Sequence, residues 1–227
     1  YDEEAIYFGI VAADPDPPSI VVTDLKKDYA VDGSDAFVIL LDTFHDGRNG
    51  YQFATNPAGA KWDAQLANEG RDFNVNWDGI WAVETRITET GWVAEIVIPF
   101  RTLKFADRDP QTWGINFRRK VRRLNEDSFW APLPRIYGLE RISMAGTLDG
   151  LSGIRAGRNL RAWRVGTVLR SVAAERVAAR GRYLRIRGVS RPRAALPSRV
   201  RGRYSHVRRA GAASHGPARA RCDGTDA

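Results

Sequence analysis

The segment WAVETRITETGWVAEIVIP, residues 81–99, decides the fold class of this chain. On both sides of Glu89-Thr90-Gly91, apolar and polar residues alternate one by one. A period of two is typical of a β-strand with one buried face, and a glycine-containing turn between two such runs is typical of a hairpin. Pro99 ends the second run, because proline has no amide donor. The segment therefore predicts an antiparallel β-hairpin.

The same two-residue rhythm recurs on both sides of the hairpin. The runs cover residues 5–12, 36–42, 51–56, 60–66, 113–122, 129–130 and 143–148, and Gly, Pro, Asn or Asp separate them. Between residues 5 and 148 no segment shows a convincing helical period. About eight or nine short strands predict an all-β fold, an antiparallel β-sandwich of the immunoglobulin-like or jelly-roll-like type.

The charge of the chain divides near Gly150. The 227 residues have a net charge of +8, but residues 1–150 carry 16 Lys and Arg against 24 Asp and Glu, a net of −8. The remaining residues carry 19 Arg, no Lys and 3 acidic residues, a net of +16. All nine Phe and six of the seven Trp lie in the acidic part, which can therefore supply a core. We expect a folded domain over residues 1–157 and a basic, low-complexity tail over residues 158–227.

Three interpretations of the tail stay open. Its richness in Arg, Ala, Gly and Ser is typical of a disordered segment that cannot bury enough apolar surface to fold. The bias to Arg without Lys is also what a GC-rich gene yields in a shifted reading frame. Residues 165–177 can alternatively form a basic amphipathic helix that binds an anionic membrane or nucleic acid. We expect a disordered Arg/Ala-rich tail or a frame-shifted translation, and no nucleic-acid partner.

Signatures of catalysis are missing from residues 1–150. His45 is the only histidine there, which excludes a multi-histidine zinc site and a histidine-based triad in that part. No glycine-rich phosphate loop occurs, and no pair of carboxylates stands out from ordinary surface charge. Cys222 is the single cysteine and cannot form an intrachain disulfide. The sequence therefore predicts a protein that is not an enzyme.

The loop after residues 36–42 contains a candidate calcium site. Asp42, Asp46 and Asn49 offer the hard oxygen ligands that Ca²⁺ takes. The loop does not match the EF-hand pattern, and Asp and Asn also cap turns through their own backbone. Both interpretations stay open, and we expect no cofactor other than structural calcium.

The high tryptophan content of the acidic part, six Trp in 150 residues, is informative about function. Three indoles in phase with apolar strand residues are assigned to the core, namely Trp81, Trp92 and Trp113. Three others stand beside polar or loop residues, namely Trp62, Trp77 and Trp130. An exposed indole offers a flat apolar face on which a sugar ring can stack. For the second group, core packing and sugar binding therefore both stay open.

Several ordered motifs together are similar to a family 9 carbohydrate-binding module. They are EAIYF at 4–8, DAFVILLD at 35–42, YQF at 51–53, NPAG at 56–59, GWVAEIVIPF at 91–100, WGINFR at 113–118 and FW at 129–130. The similarity covers about residues 2–160. It is to the version found near the start of large bacterial proteins that continue into a predicted outer-membrane β-barrel.

The resemblance implies a β-sandwich that binds the ends of plant-type polysaccharides or small sugars without cleaving them, often with structural calcium. It implies an accessory part of a larger secreted or outer-membrane protein linked to polysaccharide use, located outside the cell, in the periplasm or at the cell surface. The partners are then a carbohydrate and the rest of the parent polypeptide, such as an outer-membrane barrel. The first strands of the module are expected to be missing, since the chain begins at Tyr1 without Met.

At four places the chain departs from sugar-binding members of this family. A clamping Trp before the DAFVILLD motif is replaced near Asp32, and an acidic ligand within that motif is replaced by Val38. An Arg after the YQF motif is replaced by Ala54. A second clamping Trp falls near Tyr137 to Leu139. The resemblance therefore supports the fold at more positions than the sugar site.

The candidate ligand-binding residues are Trp130, Trp77, Trp62, Tyr137, Asn116 and Arg118. Aromatic rings would stack on pyranose faces, while amide and guanidinium groups would bond the hydroxyls. One alternative is a structural or interaction module, with the same sandwich and a degenerate sugar site, attached to an outer-membrane barrel. A haem protein that uses Met144 and a nucleic-acid-binding protein that uses the Arg tail are further alternatives.

Overall fold

The computed structural model describes residues 1–155 and 185–187. Within these residues there is no α-helix, and short 3-10 turns occur at Pro17–Ser19, Val31–Gly33, Asn68–Gly70, Phe100–Thr102, Arg122–Leu124 and Ile142–Met144. The strands are β1 (Ala5–Ala13), β2 (Ala36–Asp42), β3 (Gly50–Thr55), β4 (Lys61–Ala67), β5 (Asp72–Asn74), β6 (Ala82–Thr88), β7 (Gly91–Pro99), β8 (Gln111–Val121), β9 (Glu126–Phe129), β10 (Gly146–Leu151) and β11 (Arg185–Arg187).

The described strands pair antiparallel in two sheets. The small sheet has the order β1-β7-β6, and the large sheet has the order β11-β10-β8-β2-β3-β4-β5. Strand β8 pairs with three other strands. On one side it pairs with β2. On its other side, the first half of β8 pairs with β10 and the second half pairs with β9.

The two sheets enclose the main core. Alternate side chains of both sheets meet there, including Ile6 and Ile96 from the small sheet and Ile39, Phe53 and Trp113 from the large sheet. Each of these is at most 1 % exposed. We call the side of the large sheet that faces this core its inner face and the opposite side its outer face. The predicted all-β antiparallel sandwich is confirmed.

The outer face of the large sheet is also buried. Val38, Leu40 and Ala54 belong to a second apolar cluster, together with Leu139 and Ile142 from the segment that precedes β10. No strand among the described residues covers this face, so loops cover it. Strand β2 therefore needs apolar residues on both of its faces, as its unbroken apolar run predicts.

Strands β6 and β7 form the predicted hairpin. Their register aligns Val83 with Ile96 and Thr88 with Gly91. Gly91 has a φ of 139°, and a Cβ atom there would lie 2.1 Å from the carbonyl oxygen of Ala12. Only glycine therefore fits at the point where the hairpin turn meets the end of β1.

Within residues 1–155, two strands lie wholly or mostly outside the predicted runs. β5 lies outside all of them, and β9 begins at Glu126, before the predicted run at 129–130. Nearly all residues of both strands are exposed. Without a buried face, a strand has no alternation of apolar and polar residues from which it could be predicted.

Residues 185–187 form β11, which aligns Arg187 with Thr147 and Arg185 with Asp149 of β10. The rest of the expected tail over 158–227, with the alternative helix at 165–177, lies outside the described residues. The domain boundary near residue 157, the disorder of the tail and its frame-shifted origin therefore stay predictions. In the part of the chain that the structure describes, no helix has the length and apolarity needed to span a membrane.

Replacing Phe53 by Ala tests the main core. The ring is fully buried and lies 5.9 Å from the Trp77 ring and 5.5 Å from the Trp81 ring, between centroids. We expect Phe53→Ala to lower the free energy of unfolding by about 3–5 kcal/mol in a urea titration. The control Val11→Ala, at a position that is 81 % exposed, should change it by less than about 0.5 kcal/mol. Equal losses in the two variants would contradict the assigned core.

Candidate functional site

A row of four side chains crosses the outer face of the large sheet from β8 to β4. The register aligns Arg118 with Val38, Val38 with Ala54, and Ala54 with Trp62. Residues aligned in a register point to the same side of a sheet, so all four share the outer face. Neighbouring strands are about 4.8 Å apart, so three intervals separate the backbones of Arg118 and Trp62 by about 14 Å. Two large side chains thus flank two small ones.

The neighbouring row adds two amides to the same face. Asn116 aligns with Leu40, and Leu40 aligns with Gln52. Three of the six candidate residues, Trp62, Asn116 and Arg118, therefore come together on the outer face. The register of β8, β2, β3 and β4 is what places them on one side.

Loops close this face from both ends of the sheet. Val31, which precedes β2, and Leu139, which precedes β10, both pack on the outer apolar cluster. Tyr29 lies in the first of these loops and is 2 % exposed. The backbone amide of Asp28 donates to the carbonyl oxygen of Lys61 at 2.8 Å, which ties this loop to β4.

Four charged side chains meet at the β8 end of the first row. Asp32 lies 3.3 Å from Nη2 of Arg118 and 3.6 Å from Nζ of Lys120. Asp127 lies 3.8 Å from Nε of Arg118 and 3.5 Å from Nζ of Lys120. The Asp32 side chain is 74 % exposed, so solvent screens its contacts. The two cations and two carboxylates balance each other in charge.

Two buried polar atoms near this row lack a hydrogen-bond partner among the described residues. They are the hydroxyl oxygen of Tyr29 and the Nε atom of Arg118, which has Asp127 as an ion-pair contact at 3.8 Å. Gln52, on the same face, is a polar residue that is only 5 % exposed. Burial raises the pKa of Tyr29 well above its ordinary value, so the hydroxyl keeps its proton. An unpaired buried polar group costs about 1–3 kcal/mol, which a ligand can recover.

Two other unpaired atoms, Oδ2 of Asp35 and Nε of Arg119, belong to residues outside the two rows. Asp35 already accepts a hydrogen bond from the backbone amide of Arg122 through its other oxygen. Arg119 aligns with Phe37 and faces the inner side. Two of the four buried side-chain atoms without a hydrogen-bond partner among the described residues thus lie at the first row, and two lie elsewhere.

Asn116 uses its amide within the protein. Its side-chain oxygen accepts hydrogen bonds from the backbone amides of Phe117 and Ala131, both at 2.8 Å. Its side-chain nitrogen donates to the carbonyl oxygen of Ala131 at 3.2 Å. These bonds fix the start of the loop that follows β9. Asn116 therefore positions the cover of the outer face.

Tyr137 lies in the loop between β9 and β10, part of which covers the outer face. The guanidinium carbon of Arg141 lies 4.8 Å from the centre of its ring. Tyr137 is 36 % exposed. One face of the ring is thus engaged in a cation–π contact.

Trp77 and Trp130 lie on the inner side of the large sheet. Trp77 packs against Tyr51 and Phe53, with ring centroids 4.9 and 5.9 Å away. Trp130 meets Phe117 edge-on at 6.0 Å, and Phe117 packs against the main core. Neither indole shares a face with the row from β8 to β4. The six candidate residues therefore do not form one site.

The positions at which the resemblance expects sugar ligands do come together. Val38, Ala54 and Leu139 belong to one apolar cluster and are each at most 2 % exposed. Asp32, where a clamping Trp is expected, contacts Arg118 at the same end of the row. These positions thus lie together on the outer face, where apolar side chains and loops fill the space, and a sugar site there stays a prediction.

The candidate calcium ligands Asp42, Asp46 and Asn49 form a hydrogen-bonded turn. Asp42 accepts from the backbone amides of Asp46 at 3.2 Å and Gly47 at 2.8 Å. Asp46 accepts from the backbone amides of Arg48 and Asn49, and from the Asn49 side chain, at 2.7–2.8 Å. Burial raises the pKa of Asp42. Partial burial also acts to raise that of Asp46, but the bonds from Asn49 and Arg48 outweigh it and lower the pKa.

Turn capping thus uses every carboxylate oxygen of this candidate metal site. Across the described residues, no group of three His, Cys, Asp or Glu side chains is arranged to hold a metal ion. Calcium binding stays a prediction from the sequence.

Tyr29, Gln52 and Lys120 are residues of the site that the sequence pattern does not identify as such. Tyr29 lies in a loop, where no periodicity marks a buried position. Gln52 interrupts a strand that is buried along its whole length, and this lone polar residue is the signal that could have identified it.

The sequence has no significant match among protein-family models or curated proteins. Solved structures do resemble the fold. A protein of Bacteroides uniformis ATCC 8492, for which carbohydrate binding has been suggested, is 18 % identical, with a TM-score of 0.50 over 65 % of this chain and 73 % of that chain.

Two structures of family 9 carbohydrate-binding modules from Caldicellulosiruptor kristjanssonii are also similar, both at 13 % identity. One, in complex with glucose, has a TM-score of 0.47 over 70 % of this chain and 75 % of that chain. The other, in complex with cellotriose, has a TM-score of 0.45 over 74 % and 77 %. At these identities a likeness concerns the fold. The β-sandwich fold predicted from the sequence agrees with the Bacteroides structure at that level.

Tyr29→Phe removes the unpaired hydroxyl near the first row. We expect the free energy of unfolding to rise by about 1 kcal/mol, because the desolvation of that hydroxyl is not offset by a hydrogen bond. Chemical unfolding measures the change, and Tyr137→Phe, at a more exposed ring, should leave stability unchanged. A loss of about 1 kcal/mol or more in Tyr29→Phe would show that the hydroxyl has a partner.

Asp46→Ala separates turn capping from calcium binding. We expect it to lower the free energy of unfolding by about 1 kcal/mol, because three hydrogen bonds of the turn lose their acceptor. Turn capping predicts the same loss in calcium chloride and in a chelator, measured by thermal unfolding. Two results together would contradict turn capping and support a calcium site. Calcium would stabilise the wild type, and the loss of stability in Asp46→Ala would disappear in the chelator.

Proposed function

We propose that this chain is a non-catalytic carbohydrate-binding module and that the outer face of the large sheet is its binding site. The observation that carries the proposal is the pair of buried atoms without a hydrogen-bond partner at Tyr29 and Arg118, near the buried Gln52 on a face that also presents Trp62. No arrangement for bond cleavage is needed for this role.

A sugar fits the chemistry of these groups. Its hydroxyls both donate and accept, so they can pair with the Gln52 amide, the Tyr29 hydroxyl and the Nε–H of Arg118. The Trp62 ring is half-buried and offers an apolar surface for the C–H face of a pyranose. Val38 and Ala54, between Arg118 and Trp62, are small and are covered by Val31 and Leu139, so the middle of the row is open to a sugar only when this cover moves.

Access to this site requires movement of the loop that precedes β2. Val31 of that loop packs on the cluster that contains Val38 and Ala54, and Tyr29 is buried close to Arg118. If only a small fraction of the molecules has this loop displaced, the apparent affinity equals the affinity of that form multiplied by its fraction. We therefore expect dissociation constants of about 1 mM, corresponding to about 4 kcal/mol.

The wider role that we propose follows from the resemblance of the motifs. The module would be an accessory part of a larger secreted or outer-membrane bacterial protein linked to polysaccharide use, located outside the cell, in the periplasm or at the surface. The solved modules in complex with glucose and cellotriose suggest these sugars as the first ligands to test.

One observation favours a second candidate function. The positions of expected sugar ligands hold Val38, Ala54 and Leu139, which form a closed apolar cluster. The same sandwich could then serve as a structural or interaction module with a degenerate sugar site, attached to a barrel of the outer membrane. In that case no neutral sugar binds.

Titration calorimetry with glucose and cellotriose tests the proposal on the whole chain. We expect binding in the millimolar range for the wild type. Gln52→Leu and Arg118→Met should each weaken it about tenfold, or about 1.4 kcal/mol, because a hydroxyl of the sugar loses its partner. Far-UV circular dichroism confirms that each variant keeps its strands.

Trp130→Ala is the matched control, because this indole lies on the inner side of the sheet. It should leave the sugar affinity unchanged. Absence of heat with every neutral sugar would overturn the proposal in favour of the structural module. Loss of binding in Trp130→Ala alone would place the sugar on the other side of the sheet.

A further inference from the structure

The loop that precedes β2 is closed at its neck, over residues 23–34. The backbone amide of Thr23 donates to Oγ of Ser34 at 3.0 Å, and the hydroxyl oxygens of these two residues lie 2.8 Å apart. A loop of this length whose ends lie close together is an Ω-loop. Val31, which packs on the outer apolar cluster, and Asp32 are neighbours in it. A displacement that lifts Val31 off the outer face therefore also shifts Asp32.

Arg118 and Lys120 are two cations that the sheet itself holds on the outer face. They are two positions apart in β8, so they share that face, and their side chains are only 18 % and 7 % exposed. Charges that are buried to this degree need compensating charges. Asp127 supplies one of them from β9, where the register aligns it with Lys120, so its carboxylate stays with the sheet.

Asp32 supplies the other compensating charge, and it does so from the loop. It lies 3.3 Å from Nη2 of Arg118 and 3.6 Å from Nζ of Lys120. Its side chain is 74 % exposed, so solvent weakens both contacts. Once the loop is displaced, two cations face the single carboxylate of Asp127. The opened site therefore has an excess of one positive charge at its β8 end.

Arg118 also has a hydrogen-bond donor to offer. Its Nε atom is buried and makes no hydrogen bond within the described residues, and Asp127 at 3.8 Å is beyond hydrogen-bond distance. A guanidinium group presents a planar fork of donors that matches the two oxygens of a carboxylate. The β8 end of the site is thus suited to an anion of the same kind as the Asp32 side chain.

On the basis of the proposed function, we propose that the site prefers a saccharide with a uronic acid, whose carboxylate takes the place of Asp32 between Arg118 and Lys120. A carboxylate accepts charge-assisted hydrogen bonds from both cations, and these are stronger than the bonds of a neutral hydroxyl. It also restores the charge balance that the displaced loop removes. A neutral sugar provides neither.

The other groups of the site do not distinguish an acidic sugar from a neutral one. Tyr29 and Gln52 can pair with hydroxyls that both kinds of sugar carry, and Trp62 can contact the C–H face of either ring. The preference therefore arises at the β8 end of the row.

Titration calorimetry of the whole chain with glucose and with glucuronate tests this preference, because the two sugars differ only at C6. We expect glucuronate to bind about tenfold more tightly in low salt. High salt should reduce this ratio by screening the charges, while the affinity for glucose stays the same. Acetate, a carboxylate without a sugar ring, should bind about tenfold more weakly than glucuronate, because only the contacts of the carboxylate remain.

Two variants test the residues that the preference depends on. Lys120→Met keeps a long side chain without its charge, and we expect the preference for glucuronate over glucose to disappear. Asp32→Asn removes the competing carboxylate from an exposed position and should strengthen glucuronate binding about threefold.

Lys26→Met is the matched control, because it removes the same charge as Lys120→Met from an exposed position in the loop. It should keep the wild-type ratio of the two affinities. The 19 Arg after residue 150 are the same in every variant, so their general attraction for an anion does not affect the comparison.

Four results would contradict the preference for a uronic acid while leaving the binding module in place. They are glucose binding with glucuronate no tighter, acetate binding as tightly as glucuronate, an unchanged preference in Lys120→Met, and weaker glucuronate binding in Asp32→Asn. If neither sugar binds to the wild type, the proposed function itself fails, and the preference fails with it.

Discussion

Burial of both faces of the large sheet is the constraint on which the rest of the structure depends. Leu40 and Leu41 are neighbours in β2 and point to opposite faces, yet neither has any exposed surface. A strand that is apolar on both sides is stable only when both sides are covered. The small sheet supplies one cover. The other consists of loops, so the loops are as much a part of the folded core as the strands are.

The two faces of the large sheet therefore differ in what covers them. The inner face packs strand against strand around the fully buried rings of Phe53 and Trp113. The outer face is closed by loop residues such as Val31 and Leu139. The buried hydroxyl of Tyr29 and the buried Nε of Arg118 lack a hydrogen-bond partner within the described part of the chain. In the proposed function, a polar ligand supplies those partners once the loop before β2 moves.

The sequence predicts the parts of this structure that obey a two-residue period. The hairpin over residues 81–99, the buried strand over residues 36–42 and the common side of Asn116 and Arg118 in β8 follow from alternation, whereas the place of Trp62 on that side depends on the register of four strands. Where alternation stops, the sequence no longer predicts which face of a sheet a side chain occupies. Trp77 and Trp130 lie in loops or at a strand end, so nothing in the sequence shows that they face the inner side, and Tyr29 is buried from a loop without any pattern. Exposed β5 lacks a pattern as well, because the rhythm arises only from a buried face.

The measurement that tests the central claim most directly follows the indole N–H signals by NMR during titration with a neutral oligosaccharide. Trp62 reports from the outer face of the large sheet, and Trp77 and Trp130 report from its inner side, so one spectrum distinguishes the two faces. If the outer face is the binding site, the signal of Trp62 shifts while those of Trp77 and Trp130 stay in place. Movement of the Trp130 signal with a stationary Trp62, or no movement of any indole at saturating sugar, would contradict the account.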